Sequence, residues 1–360
     1  MPKSYYLKRI AERVLEGLRV SRGDVVLIAS SSSSSALADE LCVSALEKGA
    51  VPLVVYKPPP SAVRAAVRAE RTCIGLWETL GREVTAFVDV IDLNRLELGL
   101  GELEAARAFW NLLPYPVFDE IARRKREGRR YALLTSPLVG GGLDEEVARA
   151  SLVDGKLLYA KARELASHLE RGRTVRIASK GTYVEFKLAG RKCLWDCGTL
   201  DLAPEGDFQI AIPPGVVGVF PEEGTAEGRL LVPEVYDPWM AFAKPAKNLE
   251  LVFERGRVVE ARAEEGLDVY EAVLAASTGH RDWLCEFGIG LNPEVEGPRG
   301  FQQLDEVAEG LVYVAIGDNS FVYPELGGRL SSNLHWHLPI PRATVEVDGR
   351  TVVEDGRIVV

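Results

Sequence analysis

Residues 25–56, VVLIASSSSSSALADELCVSALEKGAVPLVVY, decide the fold of the N-terminal part of this chain. The apolar run over residues 25–29 is typical of a buried strand, and a helical pattern follows over residues 36–48. Gly49 closes that helix as a C-terminal cap. A second apolar strand pattern covers residues 51–56. A strand, a helix and a strand joined by short loops predict a βαβ unit and therefore a parallel sheet.

The serine run Ser30 to Ser35 lies between the first strand and its helix. Free backbone N–H groups at a helix start bind anions. Serine is also a favoured N-cap, and its small side chain permits close packing. Both interpretations stay open, although capping is the simpler one. The chain has no G-x-G-x-x-G segment and no Walker lysine, so the sequence gives little support for nucleotide binding.

A chain of 360 residues exceeds one ordinary core, so we expect two domains. Helical and strand patterns alternate up to about residue 135, and Gly140 to Gly142 form a flexible break. We therefore predict an α/β domain with a parallel sheet over residues 1–145. Beyond it, short strand candidates such as residues 174–179, 183–188 and 209–212 are separated by Gly and Pro turns. These patterns predict an α+β, mostly antiparallel domain over residues 146–360.

The charge and composition of the chain indicate which partners and which cellular location to expect. The net charge of -10 argues against nucleic acid, since phosphate recognition needs clustered cations, and the basic run at residues 123–126 is typical of a solvated helix end. No apolar run is long enough to span a bilayer, and the N-terminus lacks the apolar core of a signal peptide. Five cysteines fit reduced thiols. We expect a cytoplasmic protein, and the scarcity of Asn, Gln and Met suggests a thermophile.

The residues that suit metal chemistry lie in the C-terminal quarter. The chain has four histidines, and two of them form the pair His335 and His337. In an extended strand these side chains project to the same face. Glu286 precedes a glycine-rich turn, and Asp305 and Glu306 follow. Two imidazoles with neighbouring carboxylates are what a transition metal needs. Packing roles such as a hydrogen-bonded histidine pair or a helix cap are the alternatives.

Several blocks in the second half and one at the N-terminus resemble the aminopeptidase T and aminopeptidase S family of dinuclear-metal aminopeptidases. The resemblance rests on blocks in the family's order: residues 10–28, the segments Pro213 to Val217 and Pro221 to Gly228, Glu286 to Pro293, Val314 to Asn319, and His335 to His337. It implies an N-terminal α/β domain, a C-terminal metal-bearing domain, a homodimer, and removal of N-terminal residues from peptides by a protease with two divalent ions.

Several of the family's metal ligands are substituted in this chain. The bridging glutamate of a Gly-Glu-Val turn falls on Val216. The histidine before the Ala-Ile-Gly turn falls on Tyr313, and the aspartate of the closing His-x-Asp falls on His337. Two family carboxylates are kept as Glu286 and Glu306. Valine cannot bridge two cations, so we expect the standard dinuclear site to be absent unless Glu222 or Glu223 replaces the lost ligand.

The remaining candidate ligands are Glu286, Glu306, His335 and His337, and they suit one divalent ion rather than two. We therefore expect a metal-dependent, aminopeptidase-like hydrolase that acts on a peptide or small amide with zinc, cobalt or manganese, and Glu286 and Tyr313 are its candidate catalytic residues. Iron would suit the related ring-opening dioxygenases of dihydroxypyridine degradation, which the C-terminal half also resembles. Their closing motif is likewise His-x-Asp. A catalytically silent homologue is the third alternative.

Overall fold

The computed structural model of this protein describes residues 2–68, 73–188 and 190–360. The helices are α1 (Lys3–Gly17), α2 (Ser35–Glu47), α3 (Val63–Ala66), α4 (Ile74–Glu83), α5 (Leu103–Trp110), α6 (Tyr115–Arg123), α7 (Glu145–Ala150), α8 (Gly155–Arg171), α9 (Leu267–Ala276) and α10 (Gln302–Asp305). The strands are β1 (Val25–Ser30), β2 (Val51–Tyr56), β3 (Ala86–Ile91), β4 (Arg130–Thr135), β5 (Leu138–Val139), β6 (Gly142–Leu143), β7 (Thr174–Ser179), β8 (Thr182–Lys187), β9 (Leu194–Asp196), β10 (Gln209–Ile212), β11 (Val216–Val219), β12 (Glu227–Val235), β13 (Ala246–Glu254), β14 (Arg257–Arg262), β15 (Leu284–Gly290), β16 (Val312–Gly317), β17 (His335–Ile340), β18 (Thr344–Val347), β19 (Arg350–Glu354) and β20 (Arg357–Ile358).

The chain forms two compact units, Met1–Lys156 with Asp196–Pro214, and Leu157–Trp195 with Gly215–Val360. The first unit contains a parallel sheet in the order β10-β4-β3-β1-β2, so the predicted βαβ unit and parallel sheet are confirmed. Its core lies between α1, α2 and one face of this sheet. The antiparallel character predicted for the C-terminal part is also confirmed.

One strand departs from the predicted arrangement. The sequence pattern assigns residues 209–212 to the antiparallel domain, but β10 pairs in parallel with β4 in the first sheet. A strand of four residues carries no mark of its partner, because pairing is decided by long-range packing. The segment Asp196–Pro214 therefore belongs to the first unit although it lies beyond residue 145. The boundary at residue 145 itself stays a prediction.

The serine loop after β1 has protein partners in the structure. Ser31 Oγ accepts a hydrogen bond from the backbone N of Ser34, as expected for a capping residue. The hydroxyls of Ser33 and Ser34 donate to the carboxylate of Asp92 at 3.0 and 2.5 Å. These contacts favour the capping and packing interpretation of the serine run.

The second unit contains two mostly antiparallel sheets. The larger has the strand order β14-β13-β12-β8-β7-β18-β19-β20, and the smaller has the order β17-β16-β15-β11-β9. The smaller sheet carries the histidine pair and Glu286, and it positions the site described below. In the described ranges of the chain, no helix combines the length and the apolar character needed to cross a bilayer.

The Asp24 carboxylate connects the N-terminal ends of β1, β3 and β4 in the parallel sheet. It accepts hydrogen bonds from Ser21 N at 2.8 Å and from Thr85 Oγ1 at 2.7 Å, and it forms an ion pair with Arg130. Burial raises the pKa of Asp24, but the hydrogen bonds from Thr85, Ser21 and Arg130 outweigh it and hold the pKa below its usual value. The ionised carboxylate is therefore part of the folded state.

We expect Asp24→Asn to lower the free energy of unfolding by roughly 1–3 kcal/mol at pH 7, since Arg130 loses a buried partner. Because the pKa of Asp24 is lowered on folding, its contribution is present above the unfolded pKa and is lost as pH falls through the folded pKa. Urea denaturation at neutral and acid pH should show the difference shrinking in acid. Asp201→Asn is the matched control, because the Asp201 to Arg19 pair is exposed. Equal losses for both variants would contradict this account.

Candidate metal centre

The small antiparallel sheet has two chemically different faces. Its pairing sets Glu286 opposite Ala315 and Ala315 opposite His337, while Gly288 pairs with Tyr313. Alternate residues in a strand point to the same face. One face therefore carries the polar residues Glu286, Tyr313, His335 and His337. The other face is apolar and buried, and it includes Phe287, Val314, Trp336 and Leu338.

Three donor atoms converge on the polar face. The Nε2 atoms of His335 and His337 lie 2.9 Å apart, and His335 Nε2 lies 3.3 Å from Glu286 Oε2. One ligand atom from each of these three residues lies within 4.8 Å of the others, so the group could hold a metal ion. Glu286 and His337 are buried, and His335 is partly exposed. The alternation of side chains along a strand predicts a shared face for the two histidines, and in the structure they lie side by side on that face.

Neighbouring groups orient both imidazoles. The Nδ1 atom of His335 lies 2.8 Å from the carbonyl oxygen of Asp318, so Nδ1 carries a proton, and Nε2 has a lone pair when the imidazole is neutral. The Nδ1 atom of His337 lies 3.0 Å from Glu306 Oε2 in a contact that is close but poorly aligned. A carboxylate or carbonyl on the far nitrogen is the usual partner of a metal-binding histidine.

The donor set fits one metal ion. Ligands bonded at about 2.1 Å and at right angles to each other would be separated by about 3.0 Å. The separations of 2.9 and 3.3 Å on this face match that value. His335 Nδ1 lies at hydrogen-bond distance from the Asp318 carbonyl oxygen, and His337 Nδ1 lies beside Glu306, so the two Nε2 atoms and a carboxylate oxygen face each other. These three electron-rich atoms repel each other unless a cation or a proton lies between them.

The charge on Glu286 is stabilised by its neighbours. Burial raises the pKa of this carboxyl group, but the hydrogen bond and charge of His335, the charge of His337 and the hydroxyl of Tyr313 lower it below its usual value. Burial lowers the pKa of His335, while Cys285 and Glu286 raise it, and the net pKa lies well above its usual value. The site therefore favours a positive charge between Glu286 and the histidines, which a proton or a metal ion can supply.

Glu306 and Asp305 occupy different places from the three converging donors. Glu306 contacts the Nδ1 side of His337, on the other side of the ring from the Nε2 atom that faces His335. Asp305 accepts hydrogen bonds from the backbone N atoms of Arg299 and Gly300 at 2.5 and 3.0 Å. Burial raises the pKa of Asp305 to about 6. A direct bond from Glu306 to the ion stays a prediction, and the geometry suits it as the partner of His337.

The aminopeptidase resemblance implies a bridging glutamate at position 216, and no carboxylate near that position joins the converging donors among the described residues. Val216 is buried and pairs with Gly290, two pairs along the sheet from the Gly218 and Gly288 pair. Glu223 forms a bidentate ion pair with Arg191, with contacts of 3.1 and 2.5 Å. Glu222 is exposed, and neither glutamate belongs to the converging group among the described residues.

Three residues that shape the site were not predicted. Gln302 Oε1 accepts a hydrogen bond from the backbone N of His337 at 3.1 Å. A Cβ atom at Gly288 would lie 2.2 Å from Cζ of Tyr313, and one at Gly218 would lie 2.9 Å from Oε1 of Glu286. These glycines leave room for the functional side chains. The sequence does indicate the role of Gly288, because Gly288 and Gly290 alternate in one strand and leave one of its faces without side chains.

A cleft adjoins the histidine pair. Its lining includes His337 and Tyr313, four carboxylates and two amides, and it contains no Lys or Arg among the described residues. The carboxylates are those of Glu234, Asp237, Asp305 and Glu306. Trp336 also borders it and donates through Nε1 to the carbonyl oxygen of Tyr236 at 2.9 Å. The lining of the cleft is thus mostly acidic, and it also includes the aromatic residues Tyr313 and Trp336.

Comparisons with known proteins agree with this architecture. A family model described as NicX: 2,5-dihydroxypyridine 5,6-dioxygenase matches residues 150–360. The structure of 2,5-dihydroxypyridine dioxygenase from Pseudomonas putida KT2440 has a TM-score of 0.68 and 18% identity, over 100% of this chain and 98% of that chain. AmpT from Thermus thermophilus has a TM-score of 0.72 and 18% identity, over 99% of each chain. No curated protein sequence matches significantly.

The likeness to AmpT confirms the fold that the aminopeptidase resemblance implies. At 18% identity it shows the fold alone. The expected aminopeptidase activity is not established by it, and the family model that matches the sequence describes a dioxygenase instead. The comparisons thus agree on the fold, and the second unit of this chain carries a candidate three-residue metal site.

We expect His335→Ala to abolish metal retention, because it removes one of the three converging donors. The measurement is metal content per chain by elemental mass spectrometry after dialysis against a weak chelator. His168→Ala is the matched control, since His168 lies on α8 in the same unit and outside the donor group. Unchanged metal content in His335→Ala, with the control also unchanged, would refute the assignment.

We expect Glu306→Gln to weaken metal binding by about 10- to 100-fold without changing the number of ions bound, because it alters the partner of His337 Nδ1. Glu286→Gln should instead remove the bound ion. Titration of the metal-free protein with Co(II) separates the two results. If Glu306→Gln also loses the ion entirely, Glu306 is a direct ligand, as the sequence predicts.

Proposed function

The chain belongs to the NicX family of 2,5-dihydroxypyridine 5,6-dioxygenases, and from this premise we propose that it is a mononuclear non-haem iron oxygenase acting on a small hydroxylated aromatic ring. The observation that carries the proposal is the convergence of His335, His337 and Glu286. Two histidines and one carboxylate with open positions are the ligand set of non-haem iron(II) oxygenases.

Each residue of the proposed centre has a distinct task. His335 and His337 would offer nitrogen donors to the ion in their neutral form, with the Asp318 carbonyl at hydrogen-bond distance from His335 Nδ1 and Glu306 beside His337 Nδ1. Glu286 supplies negative charge, and burial keeps competing water away from it. Bound iron(II) would supply the activation of dioxygen and an anchoring point for the substrate oxygen. The partly exposed side of His335 leaves access to the site.

The aminopeptidase resemblance implies a bridging glutamate at position 216, and the valine found there supports a site with one ion. Two divalent ions a few ångströms apart need bridging negative charge, and Val216 is apolar. This feature also weakens the case for the standard two-ion aminopeptidase reaction, because that reaction depends on a clamp of two metals. The choice of a dihydroxypyridine-like ring as substrate rests on the family description.

A one-ion hydrolase acting on an amine-bearing amide or peptide is the second candidate. The specific observation in its favour is the acidic cleft beside His337, whose described lining includes four carboxylates and no cationic side chain. Such a lining attracts an ammonium group and repels an anion. Two histidines and one glutamate are also a catalytic zinc set. The homodimer, the thermophilic origin and the cytoplasmic location that the sequence suggests stay predictions.

The identity of the metal and its reaction can be tested together. Metal-free protein is loaded anaerobically with Fe(II), Zn(II), Co(II) or Mn(II), and the bound metal is counted. Each form is then assayed for oxygen consumption with dihydroxypyridines and dihydroxybenzenes, and for release of amines from aminoacyl amides. We expect one ion per chain, and oxygen consumption with the Fe(II) form only.

The other outcomes decide between the alternatives. Amide hydrolysis by the Zn(II), Co(II) or Mn(II) form without oxygen consumption would support the hydrolase. Two ions per chain would contradict the mononuclear site. Failure to bind any of the four metals would refute the metalloenzyme proposal and favour a catalytically silent homologue. His337→Ala is the control that shows whether the activity depends on this site.

A further inference from the structure

Tyr313 lies where the aminopeptidase family has a histidine, but it contacts the candidate centre in its own way. Its hydroxyl donates a hydrogen bond to Glu286 Oε1 at 2.7 Å, and the side chain is buried. A carboxylate oxygen has only lone pairs to offer, so the phenol hydroxyl is the donor in this contact.

The hydrogen bond makes the two oxygens of Glu286 different. Oε1 receives the Tyr313 proton, while Oε2 faces His335 Nε2 at 3.3 Å. Position 218, which lies beside Oε1, is a glycine and offers no side-chain donor or ligand. Oε1 thus accepts a hydrogen bond from the neutral Tyr313 hydroxyl, and Oε2 is available to bind a cation.

The aromatic ring of Tyr313 also fixes the second histidine. It stacks on His337 with 4.2 Å between ring centroids and an interplanar angle of 9°. The ring occupies the space above Gly288, where a Cβ atom would lie within 2.5 Å of three of its atoms. The same side chain therefore restrains two of the three donors, one through its hydroxyl and the other through its face.

We propose that Tyr313 is a positioning residue that holds Glu286 to a single metal-binding oxygen and fixes the plane of His337. The proposal rests on the one-ion site described above. A glutamate held in this way binds through one oxygen and leaves further positions on the ion for other ligands. Tyr313 contacts Glu286 and His337, so its effect on a bound ion would pass through these two residues.

The test uses Tyr313→Phe, which removes the hydroxyl and keeps the stacked ring. Metal-free wild type and variant are titrated with Co(II), and the affinity, the number of ions and the visible absorption spectrum are recorded. We expect about tenfold or greater loss of affinity, since orienting partners of metal ligands have effects of that size. We also expect a changed spectrum with lower intensity, because Glu286 becomes free to bind through both oxygens.

Tyr270→Phe is the matched control. Tyr270 is buried in the same unit and stacks on Trp336 with ring centroids 5.8 Å apart, so the same atom is removed from a tyrosine that does not contact Glu286. Circular dichroism and urea denaturation of both variants report on folding. A purely structural role for Tyr313 would lower stability and leave the spectrum of the bound Co(II) unchanged.

The outcomes separate this proposal from the proposed function. If wild type binds one Co(II) and Tyr313→Phe matches Tyr270→Phe in affinity and spectrum, the role of Tyr313 is refuted and the metal site stands. If wild type binds no Co(II), the metal site is refuted and the positioning role falls with it. A weakened and spectrally altered site in Tyr313→Phe alone supports the proposal.

Discussion

The mutual repulsion of three electron-pair donors is the constraint on which the site depends. Two imidazole nitrogens approach to 2.9 Å, and a buried carboxylate oxygen lies 3.3 Å from one of them. In a partly buried site, such a group is stable only with a positive charge between its members. The surrounding contacts hold the donors in this arrangement. The Asp318 carbonyl contacts His335 Nδ1, and Tyr313 donates a hydrogen bond to Glu286 and stacks on His337.

Local patterns predict the fold well where neighbouring residues decide the structure. The apolar runs at residues 25–29 and 51–56, with a helix between them, identify the parallel unit because short βαβ connections have few alternatives. Residues 209–212 show the limit of this reasoning. Their period is compatible with either kind of sheet, and their parallel partner Arg130–Thr135 is distant in sequence. Pairing of that kind follows from tertiary packing, which a single sequence does not display.

The same distinction applies to the site. A shared face for His335 and His337 follows from the strand period alone, and the family resemblance adds Glu286. The relation between Glu306 and His337 could not be predicted, since it depends on how the short helix Gln302–Asp305 packs and on which ring nitrogen faces it. The position of Tyr313 against Glu286 depends on the register of two strands and on the absence of a side chain at Gly288.

Charge balance explains why the substituted positions are compatible with one ion. The two carboxylates in contact with the histidine pair, Glu286 and Glu306, together match the charge of a single divalent cation. A second divalent cation would add two positive charges without a partner at Val216, in a region where burial makes uncompensated charge costly. A fold does not determine a reaction, so the donor set that remains on this face decides which chemistry the chain can support.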